Sequence, residues 1–199
     1  MKRILLILLV LLSGVPAWTQ EHNILIGAGP FLKNENQRPD VIPGAVWRLS
    51  YGFDIRLGEE LSVMPGAGFR AQMKELYQLA GIGGDSDAML VGDAFCQARY
   101  HFAIGASKMV FGLGPQLSYF ISSDTYLKTD PGDPINGKEK YRRWDVGLQP
   151  SLVFLLRNRW QWGIEASIGL RNMLRQYPEC NVTGNVHLHS LMLILGRRF

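Results

Sequence analysis

Residues 45–57 read Ala-Val-Trp-Arg-Leu-Ser-Tyr-Gly-Phe-Asp-Ile-Arg-Leu. Ala45, Trp47, Leu49, Tyr51, Phe53, Ile55 and Leu57 occupy the odd positions. Arg48, Ser50, Gly52, Asp54 and Arg56 occupy even ones. Side chains of a β-strand alternate between its two faces. This stretch is therefore a strand with one greasy face and one charged face. Its length matches or slightly exceeds the roughly 9–11 residues of a tilted membrane strand.

The pattern recurs along the chain. Residues 61–73 set Leu61, Val63, Pro65, Ala67, Phe69 and Ala71 against Ser62, Gly66, Gly68, Arg70 and Gln72. Residues 89–102 set Leu90, Ala94, Cys96, Ala98, Tyr100 and Phe102 against Asp93, Gln97, Arg99 and His101. In residues 109–121, Phe111, Leu113, Leu117 and Tyr119 oppose Gly112, Gly114, Gln116 and Ser118. Trp144, Val146, Leu148, Leu152 and Phe154 oppose Asp145, Gly147, Gln149 and Ser151 in residues 143–156. Residues 160–173 place Trp162, Ile164, Ala166, Ile168 and Leu170 opposite Gln161, Glu165, Ser167 and Arg171. The end segments alternate less cleanly. Residues 23–32 carry Ile24, Ile26 and Ala28 against Gly27 and Gly29. Residues 187–199 mix Met192 and Ile194 into the face of Ser190, Gly196 and Arg198.

Short and long connections take turns. Residues 58–60, 104–107 and 157–159 are tight turns. Residues 33–44, 74–88, 122–142 and 174–186 are long and polar, with loop signals such as Asp-Pro-Gly-Asp-Pro at 130–134. Eight segments with short turns on one rim and long loops on the other predict an all-β, eight-stranded antiparallel up-and-down transmembrane barrel. Both termini then fall on the periplasmic side.

Alternation alone does not say which face looks inward. Clean apolar faces, with glycine mixed among the charges opposite them, favour lipid outside. An eight-stranded barrel is only just wide enough for its own side chains, and glycine and paired charges can share that space. The expected lumen network is Arg48, Arg56, Arg70, Arg99 and Arg171 pairing Asp54, Asp93, Asp145 and Glu165. Trp47, Tyr100, Phe102, Trp144, Trp160 and Trp162 gather towards segment ends, as an interfacial aromatic girdle requires.

The N-terminus reads as a leader. Lys2 and Arg3 precede an uninterrupted apolar run over residues 4–12, and small residues with Pro16 follow. This is secretory signal grammar, with residues 1–17 removed, or cleavage as late as Gln20. Residues 18–199 form the barrel. The 21 Lys and Arg against 17 Asp and Glu include the two leader charges. The rest is near balance, which gives no case for nucleic-acid binding. Cys96 faces lipid on this reading and Cys180 sits in a loop, so no disulfide is expected.

The ending LMLILGRRF at residues 191–199 resembles the terminal strand that the barrel-assembly machinery recognises, with Phe199 as its signal. Arg197 stands where such endings carry an aromatic. Ile26-Gly-Ala-Gly29, Leu61-Ser-Val-Met-Pro-Gly66, Phe111-Gly-Leu-Gly-Pro-Gln-Leu-Ser-Tyr119 and Gly163-Ile-Glu-Ala166 resemble the PorT-type outer-membrane β-barrel domain family. That family shares its broad architecture with OmpX and the OmpA transmembrane domain. The resemblance implies an integral outer-membrane location.

Catalytic chemistry finds little purchase. A deacylase-like His-x-Ser pair needs both side chains on one face. His189 and Ser190 are adjacent and His187 and Ser190 are three apart, so each pair splits across the strand. The loop acids Asp85, Asp87, Asp124, Asp130, Asp133, Glu139 and Glu179 have no loop histidine to work with. Asp124, Asp130 and Asp133 lack an EF-hand pattern. No cofactor or metal is expected. The expectation is a non-enzymatic structural or surface-interaction barrel and a monomer. Its partners would be outer-membrane lipid, lipopolysaccharide and the assembly machinery. A minor channel or a secretion-associated barrel is the alternative, and a lipid A modifying enzyme the third reading.

Overall fold

A computed structural model describes residues 20–35, 44–73, 88–105, 107–121, 141–156, 158–177 and 184–199. The leader, most of the four long loops, the loop acids and Cys180 lie outside the described residues, so the expectations made for them are not addressed. The described chain forms β1 (Gln20–Glu35), β2 (Gly44–Arg56), β3 (Leu61–Met73), β4 (Ala88–Ile104), β5 (Ser107–Leu113), β6 (Pro115–Phe120), β7 (Trp144–Leu148), β8 (Ser151–Leu155), β9 (Trp160–Gly169) and β10 (Val186–Arg198).

These ten segments make eight staves. β5 and β6 are one stave interrupted at Gly114, and both pair with β4. β7 and β8 are one stave interrupted at Gln149 and Pro150, and both pair with β9. Proline has no N–H to give a ladder, which accounts for the second break. Neither break shifts the alternation: Leu113, Pro115 and Leu117 all stay outward.

Every pairing is antiparallel, and β1 pairs β10 from Asn23 with Arg198 to Glu35 with Val186. The sheet is therefore closed. At the seam, Phe199 and His22 exchange both backbone hydrogen bonds, at 2.9 and 3.2 Å. Closure leaves no open edge, which hydrocarbon would not tolerate. A 13-residue strand such as β2, tilted as in small barrels, covers about 30 Å along the membrane normal. That is enough to cross the hydrocarbon layer.

The polarity is inside out relative to a soluble barrel. Leu193 is 72% exposed, Phe69 59% and Ile26 58%, while Gln97 and Gln149 are 0% exposed. Apolar side chains form the outer wall and polar ones fill the centre. Such a wall is stable only against acyl chains, since contiguous exposed apolar area on this scale is foreign to water-soluble monomers. The chain is an integral outer-membrane β-barrel. Ala45 and Ile55, expected on the apolar wall, are covered by neighbours instead.

Turn chemistry supports the register. β4 and β5 are joined by a two-residue turn in which Gly105 has φ of +57°. Two barrel glycines have a different cause. A Cβ on Gly29 would penetrate the Leu191 carbonyl, and one on Gly114 would penetrate the Cys96 carbonyl. Backbones approach there too closely for any side chain. Gly114→Ala is expected to lower the unfolding free energy by roughly 2 kcal/mol or more. Gly58→Ala, in a turn with open space around it, should leave it unchanged. Urea titration followed by heat-modifiable gel mobility measures both.

Candidate functional site

The period-two pattern sends one row of side chains from each stave into the lumen, and charged members of β2, β3, β4 and β9 form three buried ion pairs there. Arg48 of β2 reaches across to Glu165 of β9. Arg70 of β3 holds Asp93 of β4 through Nε and Nη2, at 2.6 and 2.9 Å. Arg99 of β4 donates to Asp54 of β2 at 2.9 Å. All six side chains are almost fully buried. Arg48 and Arg70 are directly opposite each other in the β2–β3 ladder. Like charges in that position repel, and the two avoid conflict by taking carboxylates on different staves. Phe95 lies beneath the Arg48 guanidinium, 5.1 Å from its ring centre.

Neutral groups extend this network. The Ser118 hydroxyl donates to Asp93, the Gln116 amide donates to Ser118, and the Ser167 hydroxyl donates to Gln116. The belt thus runs from β3 round to β9. Lower in the lumen, Gln97 donates to the Gln149 carbonyl and Gln161 donates to Asn23. Arg48 Nε, Asp54 Oδ1 and the side-chain amide atoms of Gln149 are buried without a protein partner, so the interior keeps polar capacity for water.

Three of the nine expected network residues behave differently. Arg171 is exposed and does not join the lumen. β9 ends at Gly169, so the alternation that would have turned Arg171 inward stops first. Its backbone N–H, not its guanidinium, reaches Asp145, at 3.3 Å. Asp145 is buried as expected but takes that amide in place of an arginine. Arg56 lies half-buried at the periplasmic mouth, where it shares Glu21 with Arg198 at 3.3 and 3.0 Å. Glu21 precedes the segment read from sequence, so its role was not visible.

Two further features escaped the sequence reading. The outer end of the lumen is apolar: Phe31, Val46, Met89, Val91, Phe120 and Val186 are buried there. They follow the inward parity but only near the long-loop ends of their strands. Met192 and Ile194 likewise point inward and are buried, as their parity required. Second, Ser62 and His101 of β3 and β4 share a hydrogen bond of 2.8 Å inside the barrel. This has the contact of a nucleophile with a base. His101 Nδ1, however, has no partner to orient the ring, and both residues are buried.

The aromatics fall into two girdles. Trp47, Tyr119 and Trp144 belong to the outer rim, with Tyr119 and Trp144 in contact at 4.6 Å. Tyr100, Phe102, Trp160 and Trp162 belong to the periplasmic rim. There Tyr100 packs edge-on to Phe102, and Trp162 stacks on Phe154. Phe199 is half exposed beside the Arg197 guanidinium. His187 and His189 stack on one face of β10, and Ser190 is buried on the other. Cys96 is a free thiol on the lipid-facing wall.

No protein-family model and no curated protein sequence matches the chain. Solved structures do. The outer membrane enzyme PagL superposes with a TM-score of 0.58 at 14% identity, covering 88% of this chain and 98% of that one. Neisserial surface protein A (NspA) superposes at 0.53 with 12% identity, covering 89% and 97%. At such identities the likeness is one of fold, that of a small outer-membrane β-barrel.

A buried ion pair is costly to break on one side, because the survivor keeps its desolvation cost. Asp93→Ala should destabilise the barrel by about 3–5 kcal/mol. The joint replacement Arg70→Met with Asp93→Leu should cost clearly less. Arg171→Ala should fall within about 0.5 kcal/mol of the parent. Urea unfolding in lipid vesicles reads all three.

Proposed function

We propose that this barrel is a sealed, non-catalytic scaffold that holds its outer rim and extracellular loops at the cell surface for interaction. The observation that carries the reading is the filling of the lumen. Three ion pairs and a belt of hydrogen bonds occupy its middle, and an apolar layer caps its outer end. A barrel so filled suits a rigid platform better than a conduit. The split of His189 and Ser190 across β10 argues against a His-x-Ser hydrolase, since a base must reach its nucleophile.

Within the same proposal, the chain is a monomer of the PorT-type family. Support comes from the glycine-rich first strand and from the motifs around Gly66 and Gly163. β10, with its terminal Phe199 ring half exposed, is the strand offered to the assembly machinery.

Planar-bilayer recording of the refolded protein tests the sealed lumen. The expected trace shows no stable conductance, and a large, steady open level would contradict it. The absence of catalysis is tested separately, by the mass of lipid A from cells with and without the protein. The masses should be the same. A mass change that His189→Ala or Ser62→Ala abolishes would overturn the non-catalytic reading.

A further inference from the structure

The outward positions of the strands carry just one arginine, lysine or carboxylate among the described residues. It is Arg197, which follows Leu191, Leu193 and Leu195 on the exposed face of β10. Its ladder partners are Trp160 of β9 and Ile24 of β1. Its guanidinium lies 5.4 Å from the centre of the Phe199 ring. The ion pairs of this rim join Arg56 and Arg198 to Glu21 on the inward parity. Among the described residues no carboxylate pairs with Arg197.

A charge on a lipid-facing wall is costly at mid-membrane and tolerated near the headgroups. Arg197 stands two residues from the last residue of the chain, between Trp160 and Phe199 of the periplasmic girdle. Such aromatics mark the headgroup level. The anion present at that level on a wall without carboxylates is lipid phosphate. Arginine's planar fork suits phosphate oxygens, which it meets through paired N–H donors. The Phe199 ring holds the guanidinium in place by a cation–π contact.

Directly above this cation, towards mid-membrane, the wall is recessed. An open groove of about 490 Å³ is lined by Ile26, Ala28, Trp162, Leu193 and Leu195. The register aligns groove and cation. Leu195 pairs with Trp162 and Ile26, one outward row above Arg197, Trp160 and Ile24. Ala28 pairs with Leu193 in the next row. The groove continues the wall that faces hydrocarbon, so an acyl chain is what fills it. One cation at headgroup level below an apolar groove matches a single phospholipid, head and tail.

We propose that Arg197 and the groove above it bind one glycerophospholipid of the inner leaflet, with its phosphate on the guanidinium and an acyl chain along β10. The assignment rests on the short-turn rim being periplasmic, which places Arg197 in the leaflet away from the long loops. It does not depend on whether the lumen conducts or the loops bind a partner.

The test uses the full mature chain refolded in neutral detergent, with lipid adducts measured by native mass spectrometry. The probes are dioleoyl phosphatidylglycerol, dioleoylglycerol with the same chains and no phosphate, and inorganic phosphate as competitor. The variants are Arg197→Gln, Ala28→Leu to fill the groove, and Arg171→Gln as a charge-matched control at the outer rim. Heat-modifiable mobility confirms that each is folded.

The parent should retain the phospholipid and far less of the dioleoylglycerol. Arg197→Gln should bind the phospholipid about tenfold more weakly or worse, as loss of charge-assisted hydrogen bonds to phosphate implies. Ala28→Leu should weaken it too, and Arg171→Gln should match the parent. Equal retention of dioleoylglycerol, or unchanged binding by either Arg197→Gln or Ala28→Leu, would overturn the proposal. Equal losses in Arg197→Gln and Arg171→Gln would mark general charge attraction and overturn it as well. Displacement by inorganic phosphate at comparable concentration would reassign Arg197 to soluble phosphate, with the same consequence. A conducting barrel that still held the phospholipid would refute the sealed lumen and leave this site standing.

Discussion

Hydrocarbon offers no hydrogen-bond partners, so every backbone N–H and C=O in the membrane must find one within the sheet. The β1–β10 ladder and the paired backbone bonds of His22 and Phe199 meet that demand by closing the ring. Closure then fixes everything else. It sets the inside diameter, and it forces one parity of each strand into a space with room for little beyond its own side chains. The charges on that parity must pair or go unsatisfied.

The lumen solves this crowding by partition. Arginine and carboxylate are matched across different staves, so that neighbouring like charges such as Arg48 and Arg70 do not compete. Hydroxyls and an amide extend the Arg70–Asp93 pair through Ser118 and Gln116 to Ser167 of β9. Buried apolar side chains fill the outer end, as at Val46, Met89 and Phe120, and recur beside the short turns at Val110, Val153 and Leu155. The result is a stiff cylinder whose interior is committed to its own stability.

Most of the wall was legible in the sequence, because lipid outside and charge inside impose strict period two over long stretches. Residues 45–57 show it: Trp47, Leu49 and Tyr51 face out while Arg48, Ser50 and Asp54 are buried. The carboxylate partner of each arginine was not legible. Alternation says which face a residue takes but not its height in a tilted barrel, so Arg48 finding Glu165 depends on shear. Ends were least legible. Arg171 follows the inward parity on paper, yet the strand has already stopped at Gly169. Glu21 lay before the recognised alternation, and the Ser62–His101 contact crosses two strands. The apolar outer layer left a faint trace, in Val46, Met89 and Phe120 on the otherwise polar parity.

A membrane barrel turns its apolar face to acyl chains and its polar face away from them, and a spin label can report directly which medium each face meets. A nitroxide is attached at the native Cys96, or at Leu193→Cys in a variant without other thiols, after refolding into lipid vesicles. Its collision rates are compared between oxygen, which dissolves in acyl chains, and a water-soluble nickel chelate. Both sites are on the outer wall, and Leu193 is its most exposed apolar side chain. Oxygen should dominate strongly at both positions. Dominance of the nickel chelate would mean that water bathes the apolar wall, and the membrane barrel described here would be wrong.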